Sequence, residues 1–331
     1  MPLTFLLALA LAPQEPLLGV HVGNDVELPQ YEAFGDWLGR RVMARVTFCA
    51  NEKWSDVAHP YHFDATERWI KSYPGRIEVV SVPLLPNEEK ARFTAQNRSS
   101  EADRLAAGRS GKGQFDSVAR GDHDADFRSL ATDLQRRGIA DRTIIRLGWE
   151  YNGNWFAWSL GKDPEGYRKA FRRAAFAMRK AAPKLRFDLG MANRGEYDAD
   201  WRDAYPGDDV VDVISVDIYD HYNNGWDDQL LGKAGLKEYR EFVRRHNKLE
   251  AYSEWGLSTD THGHGDDPAF VDHLADWFAA APKRVLYQAV WNTWAGGPNA
   301  ALQGERSGLV PLSAAAYKRR FGAKSAKPLA E

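Results

Sequence analysis

Short runs rich in Val and Ile alternate along the chain with stretches whose apolar residues recur at helical spacing. The apolar runs predict eight strands, over Leu18–Val22, Val42–Phe48, Arg76–Val82, Thr143–Leu147, Leu185–Met191, Val210–Val216, Leu249–Ser253 and Val285–Val290. Between them, Tyr31, Phe34, Trp37 and Leu38 line one amphipathic face, and Phe127, Leu130 and Leu134 another. Asp64-Ala-Thr-Glu67 reads as a capping box opening a helix that buries Trp69, Ile70 and Tyr73. Asp163-Pro164 predicts a helix start, with Tyr167, Phe171, Ala174 and Met178 on its inner side, and Asp267-Pro268 predicts another. Further helices are expected near Leu236–His246 and Ser313–Phe321. The stretch from Pro83 to about Asp124 reads as a long connection rich in Arg, Ser and Gly.

Eight strand-plus-helix units over about 300 residues are the rhythm of an α/β chain folded as a single-domain (β/α)8 TIM barrel. A doubly wound open sheet would favour a glycine-rich turn after the first strand, and Gly23-Asn24-Asp25 does not supply one. The expected organisation is a signal peptide or disordered leader over residues 1–16, a catalytic barrel over 17–322 and a flexible tail over 323–331.

Composition narrows the partners. In 331 residues, 44 Lys and Arg face 46 Asp and Glu, a net charge of -2 that sets up no field for nucleic acid or anionic lipid. The single Cys49 precludes an intramolecular disulfide and a cysteine zinc cluster. The apolar run Leu3–Ala12 is too short to span a bilayer and has signal-peptide length, so a secreted or periplasmic chain is expected, without stable membrane insertion. Twelve tryptophans are many for this length, and several fall in predicted loops, where a flat ring with an N–H suits sugar stacking.

A barrel gathers the C-terminal ends of its strands on one face, and that face carries the chemistry. Those ends present His21 and Asn24, Glu150, Asn193 and Arg194, Asp217 and Tyr219, Glu254, and Trp291 and Asn292. Glu150 and Glu254 follow strands four and seven, across the mouth from each other. Two carboxyl groups flanking one bond are what glycoside hydrolysis requires, one to protonate the leaving oxygen and one to attack or activate water. Trp155 and Trp158 flank the Asn152-Gly153 turn beside Glu150 and are expected to wall a sugar subsite.

The stretch Arg146-x-x-x-Glu150-Tyr151-Asn152-Gly153-x-Trp155-Phe156-x-Trp158 resembles the acid/base motif of glycoside hydrolase family 26, a β-mannanase-rich family of retaining enzymes. Ser253-Glu254-Trp255-Gly256 resembles its nucleophile motif, and Asp217-Ile-Tyr-Asp220 and Val290-Trp291-Asn292 are similar to its sixth- and eighth-strand signatures. The resemblance implies Glu150 as acid/base and Glu254 as nucleophile. It also implies that Tyr219 orients the nucleophile, Trp291 forms the sugar platform and Arg146 holds the charge of the site. Trp149, Asn152, Asn193, Trp255 and His21 complete the expected substrate-binding set. No cofactor and no metal are expected. The partner is a β-linked polysaccharide or oligosaccharide, β-1,4-mannan first, met by a monomer.

One position departs from the pattern. The family's mannanases generally carry His before the acid/base Glu, and Trp149 stands there. Indole donates one hydrogen bond and fills more space than imidazole, which keeps β-1,3-xylan and mixed-linkage β-glucan open as substrates, beside a non-catalytic glycan-binding barrel. The Arg98, Arg104, Arg109 and Lys112 loop reads as solvated, and His262-Gly-His264 as a loop near the cleft rather than a metal site.

Overall fold

The computed structural model describes residues 15–24, 27–96, 111–193, 199–294 and 299–323. Eight parallel strands close into a barrel in sequence order: β1 (Leu17–His21), β2 (Ala44–Phe48), β3 (Ile77–Val82), β4 (Thr143–Leu147), β5 (Arg186–Ala192), β6 (Val213–Asp220), β7 (Leu249–Leu257) and β8 (Val285–Trp291). The seam joins β8 to β1, from Leu17 opposite Tyr287 to His21 opposite Trp291. The strands read as continuous apolar runs because both faces are covered, and every residue of β3 and β4 is buried. A cluster including Ala44, Val46, Val79, Ile144, Val213, Ala251 and Ala289 comes from alternate positions of six strands and fills the barrel interior. A larger cluster lies between the barrel and its helices.

Among the described residues the helices are α1 (Leu28–Leu38), α2 (Trp54–Ala58), α3 (Phe63–Ser72), α4 (Asn87–Gln96), α5 (Asp116–Arg120), α6 (Asp124–Arg136), α7 (Pro164–Ala181), α8 (Trp226–Leu231), α9 (Leu236–Arg245), α10 (Pro268–Ala279) and α11 (Pro311–Phe321). Asp163 caps α7 by accepting from the Gly166 N–H at 3.0 Å, and Asp267 caps α10 through the Ala269 and Phe270 N–H groups.

Several expectations give way to tertiary context. The Asp64–Glu67 capping box does not form: α3 begins at Phe63 after His62, and Glu67 pairs with Lys71 and Arg137 instead. Tyr73 lies beyond that helix, exposed, with the Arg41 guanidinium 3.7 Å over its ring. The stretch after Pro83 contains α4 and α5 rather than an unbroken connection, while Arg98, Arg104 and Arg109 lie outside the described residues. So do residues 1–14, Arg194 and the tail from residue 324. The sixth strand starts at Val213, not Val210, and runs on to Asp220, and β7 runs past Ser253 to Leu257.

The extension of β7 carries a bulge. Ser215 faces Ala251 but Asp217 faces Glu254, and on the other side Tyr252 faces Gln288 but Trp255 faces Val290. One extra residue on β7 is therefore accommodated against both neighbours. Such a bulge breaks strict alternation, so that Ser253 and Glu254, adjacent in sequence, both reach groups of the barrel interior.

Candidate active site

Beyond β4 the chain turns sharply. At Gly148 (φ +59°) a Cβ would meet the Leu84 side chain and the Tyr167 hydroxyl at 3.0 Å, so the turn needs glycine. Glu150 itself adopts a left-handed backbone (φ +49°), a costly conformation for a non-glycine residue. It is held there by its N–H to the Gly190 carbonyl at 2.8 Å and by its own carbonyl, which accepts from Gly153 at 2.9 Å. The Trp155 indole N–H donates to Glu150 Oε2 at 2.7 Å.

The β7 bulge aims Glu254 at the same space. Its Oε1 accepts from Arg146 Nη1 at 2.6 Å and its Oε2 from the Tyr219 hydroxyl at 2.8 Å. Arg146, fully buried on β4, also pairs through Nη2 with Asp217 of β6. Burial opposes the Arg146 charge, but Asp217 and Glu254 outweigh it and hold the guanidinium protonated. Burial first, and then the Glu254 charge, push Glu150 up from 4.5 to about 7, against the pull of Arg146 and the Trp155 hydrogen bond. Burial likewise raises Asp217, against Arg146 and with the help of Glu254 and Glu150.

Glu150, Asp217, Tyr219 and Glu254 line one cleft of about 660 Å³. Its aromatic wall is built from Phe48, Trp149 and Trp291, with Phe48 edge-on to both indoles at 5.4 and 5.8 Å. His21 stacks on Trp291 at 4.1 Å while its Nδ1 contacts the Val46 carbonyl at 2.8 Å, and burial lowers the imidazole to about 4. The arrangement combines an acid that keeps its proton near neutrality with a second carboxyl fixed by two donors, beside flat apolar rings.

A family model, Glycosyl hydrolase family 26, matches residues 115–248. The match covers 134 of the 331 residues. The matched stretch contains Glu150, Asp217 and Tyr219, and Glu254 lies beyond it. A mannan endo-1,4-beta-mannosidase of Bifidobacterium adolescentis is 25% identical over 193 residues, 54% of this chain but only 19% of that protein. A modular endo-beta-1,4-mannanase from Cellulomonas fimi superposes with a TM-score of 0.62 at 19% identity, over 96% of this chain and 72% of that one. GH26C from Muricauda sp. MAR_2010_75 gives 0.60 at 15% identity, over 87% and 81%. At such identities the two structures share the fold.

The expected site residues separate into three groups. Glu150, Glu254, Trp149, Trp155, Asn193, Tyr219 and Trp291 meet at the cleft. The Asn193 side-chain nitrogen donates to the Gln229 and Ala234 carbonyls at 3.2 and 3.0 Å. His21 and Arg146 sit behind that surface, one beneath Trp291 and the other beneath the carboxyl groups.

Three expected substrate contacts are corrected by the packing. Asn152 is buried and clips the loop to the end of β5, donating to the Ala192 carbonyl at 2.9 Å and accepting from its N–H at 2.8 Å. Trp158 is fully buried, stacks on Phe156 at 4.5 Å and donates to the Trp149 carbonyl at 2.7 Å. Trp255 follows the inward Glu254 and therefore points outward, among Phe270, Phe278, Tyr317 and Phe321, with its indole N–H on Gln288 at 2.6 Å.

Sequence reasoning passed over Phe48, Tyr61 and Tyr222, which also line the cleft. Phe48 closes β2, so reading every strand end would have found it. Tyr61 and Tyr222 sit on loops with no local signal. His262 stacks on Tyr222 and His264 pairs with Asp220. Among the described residues no group of three or more His, Cys, Asp or Glu side chains is arranged to hold a metal ion.

Proposed function

We propose that the chain is a retaining endo-β-glycoside hydrolase, with residues 17–322 as its catalytic domain and β-1,4-mannan as its first substrate. Glu254 attacks the anomeric carbon while Glu150 protonates the departing glycosidic oxygen, leaving a glycosyl ester on Glu254. Glu150, now a carboxylate, takes a proton from water, which attacks the same carbon and releases Glu254. The electrostatics suit this exchange. A charged Glu254 keeps the Glu150 proton on, and forming the ester removes that charge, so the Glu150 pKa falls when a base is needed.

The observation that carries the reading is the pairing of Glu150 and Glu254 in one aromatic-walled cleft, each with its own side-chain donor. Tyr219 orients the nucleophile, Arg146 fixes its charge, and Trp291 offers the ring on which the sugar stacks. Mannan is favoured because the Bifidobacterium relative and the Cellulomonas structure carry mannan-hydrolysing names. Trp149 favours a second substrate class, β-1,3-xylan or mixed-linkage β-glucan. Its indole is packed between Phe48 and Phe156, 5.4 and 4.9 Å away, an apolar wall where the mannanase pattern has imidazole. The apolar run at the start of the chain, Leu3–Ala12, supports export, and the enzyme acts as a monomer. Among the described residues no helix is long and apolar enough to cross a membrane.

The test is a panel of mannan, β-1,3-xylan and mixed-linkage glucan scored for reducing ends and product length, with the anomer of the first product read by proton NMR. A β-anomer and a ladder of intermediate lengths are expected. An α-anomer would sink the double displacement, and single-sugar release from the outset would sink endo action.

A further inference from the structure

Tyr222 combines exposure, strain and bracing in a way its local sequence does not explain. It is 50% exposed yet lines the cleft that holds Glu150 and Glu254. Its backbone sits at φ +50°, a region that bulky side chains rarely adopt. The segment that imposes this conformation comes from the loop after β7. The Tyr222 N–H donates to the His262 carbonyl at 2.9 Å, and His221 forms an antiparallel bridge with Gly263. At Gly263 a Cβ would stand 2.0 Å from the Ser258 carbonyl oxygen, so the loop can fold this tightly only with glycine. Beyond it, His264 is fastened to β6 by its backbone N–H on the Asp220 carbonyl and by Nδ1, 2.7 Å from Asp220 Oδ1.

The bracing reaches the ring. His262 stacks on Tyr222 with centroids 4.1 Å apart and planes 22° from parallel, and His221 meets it edge-on at 4.9 Å. One face is thus backed by imidazole, in a residue that remains half exposed in the cleft. A ring held flat at an entropic cost already met is suited to stack on the apolar face of a pyranose. The exposed Tyr61 lines the same cleft from the loop after β2, the strand opposite β6 in an eight-stranded barrel. The cleft therefore carries aromatic rings on both flanks of the carboxyl pair.

We propose that Tyr222, backed by His262, is a stacking platform for a sugar unit of the glycan at least one residue away from the bond being cleaved. This rests on the hydrolase reading and extends it, because a remote platform makes chain length count. The Tyr222→Gly variant is the decisive change, since glycine removes the ring and accepts φ +50° without strain. Wild type, Tyr222→Gly and Tyr222→Phe are compared on β-1,4-mannotriose and β-1,4-mannohexaose, by kcat/KM and by calorimetric affinity.

In Tyr222→Gly the loss for the hexaose should exceed the loss for the triose by about tenfold, the worth of one good aromatic stack. Its Tm should equal or exceed that of wild type, and Tyr222→Phe should restore the length dependence. Equal losses at both lengths, no loss at all, or a falling Tm with uniform loss would overturn the platform. A wild type that binds the hexaose more tightly than the triose without cleaving either would sink the hydrolase reading and leave the platform to the affinity data. A wild type that binds neither would overturn the platform too.

Discussion

Two buried arginine–carboxylate clusters in this barrel share much of their chemistry and differ in two respects that decide their use. On β2 and β3, Arg45 and Glu78 form an ion pair at 3.3 Å, and Thr47 donates to Glu78 at 2.6 Å. At the mouth, Arg146 pairs with Glu254 and Asp217. Burial pushes Glu78 up to about 7, as it does Glu150, so a shifted carboxyl is no mark of a site by itself. Glu78 has no exposed surface and one arginine to itself. Glu150 opens onto a cleft of about 660 Å³, and its neighbouring carboxyls share one guanidinium. An excess of carboxyl groups over counter-charges, open to a substrate, is what lets a proton be held and passed on.

The comparison breaks most visibly under substitution. With Glu254 as the proposed nucleophile, Glu254→Ala should lower hydrolysis of the preferred glycan by roughly four orders of magnitude or more, since a nucleophile works as a unit with its acid. Reducing-end assays with active-site-titrated protein would check this, and retained hydrolysis would refute the pairing. Glu78→Ala should instead cost about 3 kcal/mol or more of stability by leaving Arg45 buried and unpaired, read as a lowered denaturation midpoint. Its kcat should stay within about threefold of wild type, the margin for a change remote from the reacting atoms. A large kcat loss in a folded Glu78→Ala protein would erase the distinction between the clusters.

Smaller effects sharpen it. As the proposed acid, Glu150 must be protonated, so kcat/KM should fall as pH rises through about 7, seen as the alkaline limb of the pH profile. The linked stability term has the same sign for Glu78 and Glu150. Both folded pKa values lie above 4.5, so their contribution is present below that pH and is lost as pH rises through about 7. Removing Glu78 should flatten this slope without moving the activity limb. The smallest effect is expected from Trp155→Phe. The indole N–H favours the ionised form of Glu150, so its loss should move the alkaline limb upward, by less than one pH unit if one hydrogen bond is at stake.

The sequence by itself determined the strand rhythm, the closure into a barrel and the two glutamates at its mouth. These are legible because apolar runs buried on both faces, proline-marked helix starts and strand-end positions are properties of neighbouring residues. Thr143–Leu147 matches β4 end to end, and Asp163 caps its helix as read. Tertiary structure alone decided which way each aromatic faces and which groups share a charge. Trp158 and Trp255 look like cleft residues in the linear motif, but one packs on the Trp149 carbonyl and the other faces the helices. The outward turn of Trp255 follows from the inward Glu254, whereas the inward pair Ser253 and Glu254 depends on a β7 bulge set by mismatch with both neighbours. The partnership of Arg146 with Asp217 and Glu254 joins residues 71 and 108 positions apart. Local patterns report what a segment buries; they carry no record of what a distant strand brings to meet it.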